Sequence, residues 1–182
     1  MNDSKISVRY SRALFQSALE KKVLDDVAED MAYITELCLI PEVKELLKSP
    51  VIVPSKKNTI LTALLGKNVN KLTLSLIGIV VKNGRESFLP SIARVFIHET
   101  KKYKGITESE LTTAVRVSDK IKDQISEMIS KIFGTKVELK EIIDPGIIGG
   151  FILKVDDNYI DASVRNKLRK IEKELKSSIG TV

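Results

Sequence analysis

The residues able to do chemistry are few and scattered. His98 is the only histidine and Cys38 the only cysteine. One of each falls short of the four ligands of a zinc site. A nucleophilic triad would have to use His98, and nothing around it resembles a nucleophile elbow. Gly146-Ile147-Ile148-Gly149-Gly150 has the glycines of a phosphate loop but lacks the Lys-Ser/Thr pair and the second half of GxGxxG. An alternating segment, Phe151 to Val155, follows it, so a strand and not a helix N-terminus awaits any anion. Asp156-Asp157-Asn158 offers oxygens, but a calcium loop needs more ligands at fixed spacing and a terminal Glu. The trio reads as a turn. Arg165, Lys167, Arg169, Lys170, Lys173 and Lys176 crowd the last segment against Glu172 and Glu174. Such a face suits nucleic acid or an acidic protein. Aromatic residues make up 5% of the chain, too few for a single-strand stacking platform.

The elements that carry these residues fall into two styles. Up to residue 104 the chain reads as six helices. The first places Tyr10, Ala13, Leu14, Ser17 and Ala18 on one face, with Phe15 and Leu19 beside it. The second carries Leu24, Val27, Met31, Ile34 and Cys38 at spacings of three and four, which makes Cys38 a small core residue. Pro41 opens a third helix to Lys48, and Pro50 and Pro54 break the chain before a fourth that Gly66 ends. The fifth, Asn70 to Asn83, is apolar on nearly every side and belongs at the centre of a bundle. The sixth runs from Glu86 to Lys104.

Gly105 marks the boundary of a second, α+β domain. Leu111 to Val117 reads as a strand, and Ser118 as the cap of a helix with Ile121, Ile125, Met128, Ile129 and Ile132. Thr135 to Ile143 alternates as a second strand, with Val137, Leu139 and Ile142 inward. Asp144-Pro145-Gly146 turns the chain, Gly149-Gly150 permits a close backbone approach, and Phe151 to Val155 forms a third strand with a short return at Tyr159-Ile160. Asp161 is set to cap a last helix with Val164, Leu168, Ile171, Leu175 and Ile179. The expected architecture is two domains, an all-α six-helix bundle over 1–105 and a small α+β domain over 106–182.

Bulk properties agree with a soluble globular protein: 43% apolar, 30% charged, 182 residues. The net charge of +6 is uneven, with 17 Lys and Arg against 11 Asp and Glu in residues 1–105, and 13 of each beyond. That excess suits an acidic partner or nucleic acid, or simply a solvated surface. The start is polar, without a signal peptide, and no apolar run approaches the roughly 20 residues of a membrane span. With so little chemistry, interaction surface is what remains. The wide stripe of helix one and the all-round apolarity of helix five are either wholly core or partly a groove for a partner's amphipathic helix. The residues alone do not choose between these.

The order of motifs does. Arg9-Tyr10-Ser11-Arg12-Ala13-Leu14-Phe15, Leu46 to Ile52, Lys82-Asn83-Gly84-Arg85 followed by Leu89-Pro90, then IIGGFILKV and YIDASVRNKLRKI, resemble the delta subunit of F-type ATP synthases, the family of the mitochondrial oligomycin-sensitivity-conferring protein. Ser11 and Ala162 depart from the family's usual Ala and Gly. The resemblance implies a non-catalytic stator subunit with no cofactor or metal, which resists rotor torque. Its N-terminal bundle would bind the N-terminal helix of an alpha subunit through Tyr10, Ala13, Leu14, Ser17, Ser75, Leu76 and Ile79. Its C-terminal domain would bind the b subunits of the peripheral stalk through Arg165, Arg169 and Lys173. The family implies one monomeric copy per complex, peripheral at the cytoplasmic face of a bacterial inner membrane. Membrane contact would be indirect and nucleic acid absent. The competing reading is a basic nucleic-acid-binding adaptor.

Overall fold

The computed structural model describes residues 5–66, 69–156 and 158–179. The chain divides into two compact units that part between Tyr103 and Lys104. Eight α-helices and one four-stranded mixed sheet are present among the described residues, with all four strands in the second unit.

The first unit holds α1 (Lys5–Glu20), α2 (Leu24–Leu37), α3 (Pro41–Lys48), α4 (Pro54–Leu65), α5 (Lys71–Lys82) and α6 (Leu89–Tyr103). Prolines open α3 and α4 at the first turn, where the missing N–H costs nothing. Gly66 ends α4 with φ +67°. The sixth helix starts later than its periodicity suggests: Glu86–Phe88 is a 3-10 turn, and the α-helix begins at Leu89, with Pro90 in its first turn. One core joins these helices. Val27 and Met31 of α2, Ile77, Val80 and Val81 of α5, and Ile92, Ala93 and Phe96 of α6 are all buried in it.

The face that α1 gives to this core is not the stripe expected from its apolar residues. Ser7, Ser11, Leu14 and Ala18 are buried, a row at spacings of four, three and four. Two serines in that row let α1 lie close to its neighbours, and α1 and α2 both pack on α6. Phe15 reaches over to α6, edge-on to Phe96 at 6.1 Å and to Tyr103 at 5.7 Å. Tyr10 and Ala13 are left on another side.

The second unit runs β1 (Ile106–Thr113), α7 (Asp119–Phe133), β2 (Lys136–Ile143), β3 (Phe151–Val155), β4 (Asn158–Asp161) and α8 (Val164–Ile179). The strand order is β2-β1-β3-β4, with β1 parallel to β2 and antiparallel to β3. A helical crossover is what parallel neighbours require, and α7 supplies it. Gly134 ends α7 in the left-handed region at φ +66°.

Three expectations need correction here. The first strand is Ile106–Thr113, not Leu111 to Val117; its buried row is Thr107, Ser109, Leu111 and Thr113. Three of those four are hydroxyl residues, so the apolar alternation that marks a strand is missing. In β2 the residues that share this face are Val137, Leu139, Glu141 and Ile143, by register with Thr107, Ser109, Leu111 and Thr113. Ile142 has the opposite parity and points away, because strand side chains alternate. The last helix is capped by Ser163, whose hydroxyl accepts the Asn166 N–H at 3.1 Å; Asp161 sits two residues earlier and accepts the Ser163 N–H at 2.9 Å. The Ser163 hydroxyl and then the Ser163 N–H, both bonding to its carboxylate, lower the Asp161 pKa.

The glycine-rich corner before β3 is structural. Asp144 accepts the Gly146 N–H at 2.8 Å and opens a 3-10 turn that buries Ile147. Gly150 has φ +74°, and a Cβ there would stand 2.4 Å from the Ala162 carbonyl oxygen. The backbone entering β3 and the backbone entering α8 therefore touch. Asp156 makes the next turn at φ +48°; Asp157, its neighbour in the Asp-Asp-Asn trio, lies outside the described residues.

Candidate functional site: a groove between α1 and α5

Tyr10, Ala13 and Arg9 of α1 face Ile79 of α5 and Asn83 and Arg85 of the turn beyond it across a shallow groove of about 370 Å³. Helix α5 explains the apolar side of this wall. Its Asn70 cap accepts the Leu72 N–H at 2.9 Å and sets the helix phase. In that phase Thr73, Leu76, Ile77, Val80 and Val81 turn into the core, and Ile79 turns out, 52% exposed. The helix is apolar on nearly every side, but its neighbours cover only part of it.

The polar end of the groove is ordered by three contacts. Asn83 Nδ2 donates to the Tyr10 hydroxyl at 3.0 Å. The Arg85 guanidinium carbon stands 6.0 Å from the centroid of the Tyr10 ring, within reach of a cation–π attraction. Tyr10 is half-buried and packs on the core with its ring.

The seven residues singled out for this site divide. Tyr10, Ala13 and Ile79 line the groove together. Ser17 is half-buried and Ser75 exposed; Ser75 donates its hydroxyl to the Lys71 carbonyl at 2.8 Å. Leu14 and Leu76 are core residues, 3% and 6% exposed, so they support the wall from behind. Arg9, Asn83 and Arg85 complete the lining and were not singled out as groove residues. Lys82-Asn83-Gly84-Arg85 was legible only as a helix corner; that the corner folds back against α1 takes tertiary structure to see.

A second apolar hollow, about 540 Å³, lies between α3 and α4, with Leu37, Val43, Leu46, Ile60 and Leu64 among its lining. The pattern of these helices shows amphipathicity but not a gap between them.

In the second unit, Arg165, Arg169 and Lys173 are exposed along α8. Arg165 lies 3.8 Å from Asp144, which ties the helix to the glycine corner. Lys176 pairs with Glu172 at 2.6 Å. The basic face is thus interleaved with acids. Leu168, Ile171 and Leu175 of the same helix are each more than half exposed.

Elsewhere, Cys38 is buried at the end of α2, where desolvation pushes its thiol pKa up to about 11, which keeps it protonated and unreactive. His98 is exposed on α6. No helix among the described residues is long and apolar enough to cross a membrane.

An apolar groove with an ordered polar end and an exposed apolar helix row are the equipment of a protein that binds other proteins. The comparisons with known proteins agree. The family model described as ATP synthase delta (OSCP) subunit matches residues 6–175. The chain is 33% identical over 179 residues to "ATP synthase subunit delta" of Christiangramia forsetii, covering 98% of this chain and 97% of that one. It is 35% identical over 172 residues to the protein of the same name from Parabacteroides distasonis, covering 94% and 96%. A chain in the cryo-EM structure of the Toxoplasma gondii mitochondrial ATP synthase hexamer superposes with a TM-score of 0.73 at 21% identity, covering 94% of this chain and 98% of that one, which shows a shared fold. The chain belongs to the ATP synthase delta (OSCP) subunit family. It is a non-catalytic subunit of the F-type ATP synthase, part of the stator in the peripheral stalk.

Proposed function

We propose that the groove between α1 and α5 holds the N-terminal helix of an alpha subunit, and that the second unit grips the b subunits of the stalk. In this reading residues 1–105 form a six-helix bundle that serves as the head-binding domain, and residues 106–182 serve as the stalk-binding domain. One copy links head to stalk at the cytoplasmic face of the membrane, which it meets only through its partners.

The observation that carries the first half is Ile79, a large aliphatic side chain half exposed in a wall otherwise built as core. Exposed apolar side chains gathered in a concave surface mark an interaction site. Tyr10 and Ala13 face it, and Leu14 and Leu76 stiffen the two helices from within. For the second half, α8 offers Leu168, Ile171 and Leu175 beside Arg165, Arg169 and Lys173, an apolar row flanked by cations.

The mechanism is mechanical. Ion flow turns the rotor, and the head turns with it unless it is held. A clamp that lasts through many turnovers needs affinity of about 12 kcal/mol, the nanomolar range. A nucleic-acid-binding role has no comparable support.

The test is calorimetric titration of the full-length chain with the alpha N-terminal segment of the same genome as a capped peptide. Ile79→Asp places a charge in the groove at an exposed position, so the variant folds and loses the peptide. Unchanged affinity in Ile79→Asp removes the groove from the function.

A further inference from the structure

The turn after α5 aims a cation at the groove. Asn83 closes the helix, and Gly84 takes φ +63°. The Gly84 N–H donates to the Val81 carbonyl and the Arg85 N–H to the Val80 carbonyl, both at 3.0 Å. This crossed pair is the Schellman arrangement, which reverses the chain immediately after a helix. It brings Arg85 back beside α1, over the Tyr10 ring. Arg9 lines the same space. Because Asn83 donates to the Tyr10 oxygen, the Tyr10 hydrogen is left to point elsewhere. Two arginines and one hydroxyl with a hydrogen to spare therefore belong to the lining of the groove. None of the six residues that line it is Asp or Glu. Arg12, on the same helix, differs: its Nε is held by Glu99 of α6 at 3.4 Å.

We propose that Arg9 and Arg85 form a carboxylate-reading end of the groove and fix the direction in which a helix docks. The occupant is an amphipathic helix whose apolar face meets Ile79 and Ala13 and whose Asp or Glu side chain meets the two arginines. This rests on the groove being the site for the alpha N-terminal helix, and specifies the chemistry of that helix. Guanidinium groups match carboxylates through paired hydrogen bonds. A helix docked backwards leaves both cations facing a surface with no acid, so the pair discriminates between orientations more than it adds affinity. The Tyr10 ring beneath Arg85 holds the guanidinium in place before the partner arrives, which reduces the entropy lost on binding.

The test compares the alpha N-terminal peptide with a version in which every Asp and Glu is replaced by Asn and Gln. Each is titrated onto the wild-type chain, Arg9→Gln and Arg85→Gln, with thermal melts to confirm folding. The neutralised peptide binds the wild-type chain about tenfold more weakly, and Arg85→Gln loses a similar factor for the original peptide but little for the neutralised one. Added salt weakens the original pair and leaves the neutralised one nearly unchanged. An Arg85→Glu chain regains affinity for a peptide whose carboxylate is replaced by lysine. If both arginine variants bind the original peptide as the wild type does, at every salt concentration, while Ile79→Asp abolishes binding, the carboxylate-reading end is refuted and the groove stands. If the wild-type chain binds neither peptide, both readings fall.

Discussion

Asp30 of α2 accepts the Thr73 hydroxyl of α5 at 2.6 Å, and the same carboxylate oxygen accepts the Asn70 N–H at 2.9 Å. One buried acid thus anchors the start of α5 from across the core and fixes the phase in which Ile79 turns outward. Removing it leaves two donors without their acceptor. Asp30→Ala should lose about 2–4 kcal/mol in denaturant unfolding and Asp30→Asn about 1, since the amide keeps an acceptor oxygen. Equal losses would mean that the charge, not the bonding, anchors the helix.

Lys57 of α4 and Glu86 of the 3-10 turn form a buried ion pair, with side chains 4% and 9% exposed. Glu86 Oε2 has no hydrogen-bond partner among the described residues. Such a pair is costly to break on one side and cheap to replace on both. Lys57→Met should destabilise by about 3–5 kcal/mol, and Lys57→Met with Glu86→Leu should recover most of that in a double-mutant cycle.

Two glycines with left-handed backbones separate steric from conformational cost. Gly134 has open space where a Cβ would go; Gly150 has the Ala162 carbonyl oxygen at 2.4 Å. Gly134→Ala should cost about 1 kcal/mol. Gly150→Ala should cost about 3 kcal/mol or more, because the contact between the β3 and α8 entries must open. Similar melting temperatures for the two variants would show that this contact yields easily.

Glu141 of β2 accepts the Val117 N–H at 2.8 Å and lies 2.8 Å from Lys122 of α7. The Lys122 bond and then the Val117 bond hold the Glu141 pKa below its usual 4.5. The Lys122 pKa is raised above 10.5, chiefly by Glu141 and then Asp119. A depressed acid contributes stability that is complete above its unfolded pKa and lost as pH falls through the folded one. A raised base contributes below its unfolded pKa and loses it as pH rises through the folded one. Glu141→Gln should flatten the loss of stability both below about pH 4.5 and above about pH 10.5, as followed by thermal melts across pH. A variant whose melting profile overlays the wild type would rule the pair out.

Much of this was legible in the sequence. Proline and glycine punctuation marks α3, α4 and α7 closely, because these residues act through their own backbone geometry. The asparagine and glycine after α5 likewise mark its end. What was illegible depends on partners. β1 hides because its inward row is Thr107, Ser109, Leu111 and Thr113, and three hydroxyl residues carry no apolar signal; in the fold Thr107 meets Thr135 at 2.6 Å and Thr113 donates to the Val115 carbonyl at 2.9 Å, while the buried Ser109 hydroxyl has no hydrogen-bond partner among the described residues. Leu14 and Leu76 look identical to groove residues on a helical projection, and only packing puts them behind the wall. Arg9 and Arg85 are far apart in sequence, so their shared space belongs to the folded chain alone.

The exposed row of Leu168, Ile171 and Leu175 has a bearing on how the molecule behaves before assembly. Made without its complex, the chain shows water a greasy seam that none of the described residues covers, and its tendency to clump grows with concentration. Its production is therefore safest when matched, copy for copy, to whatever closes that seam.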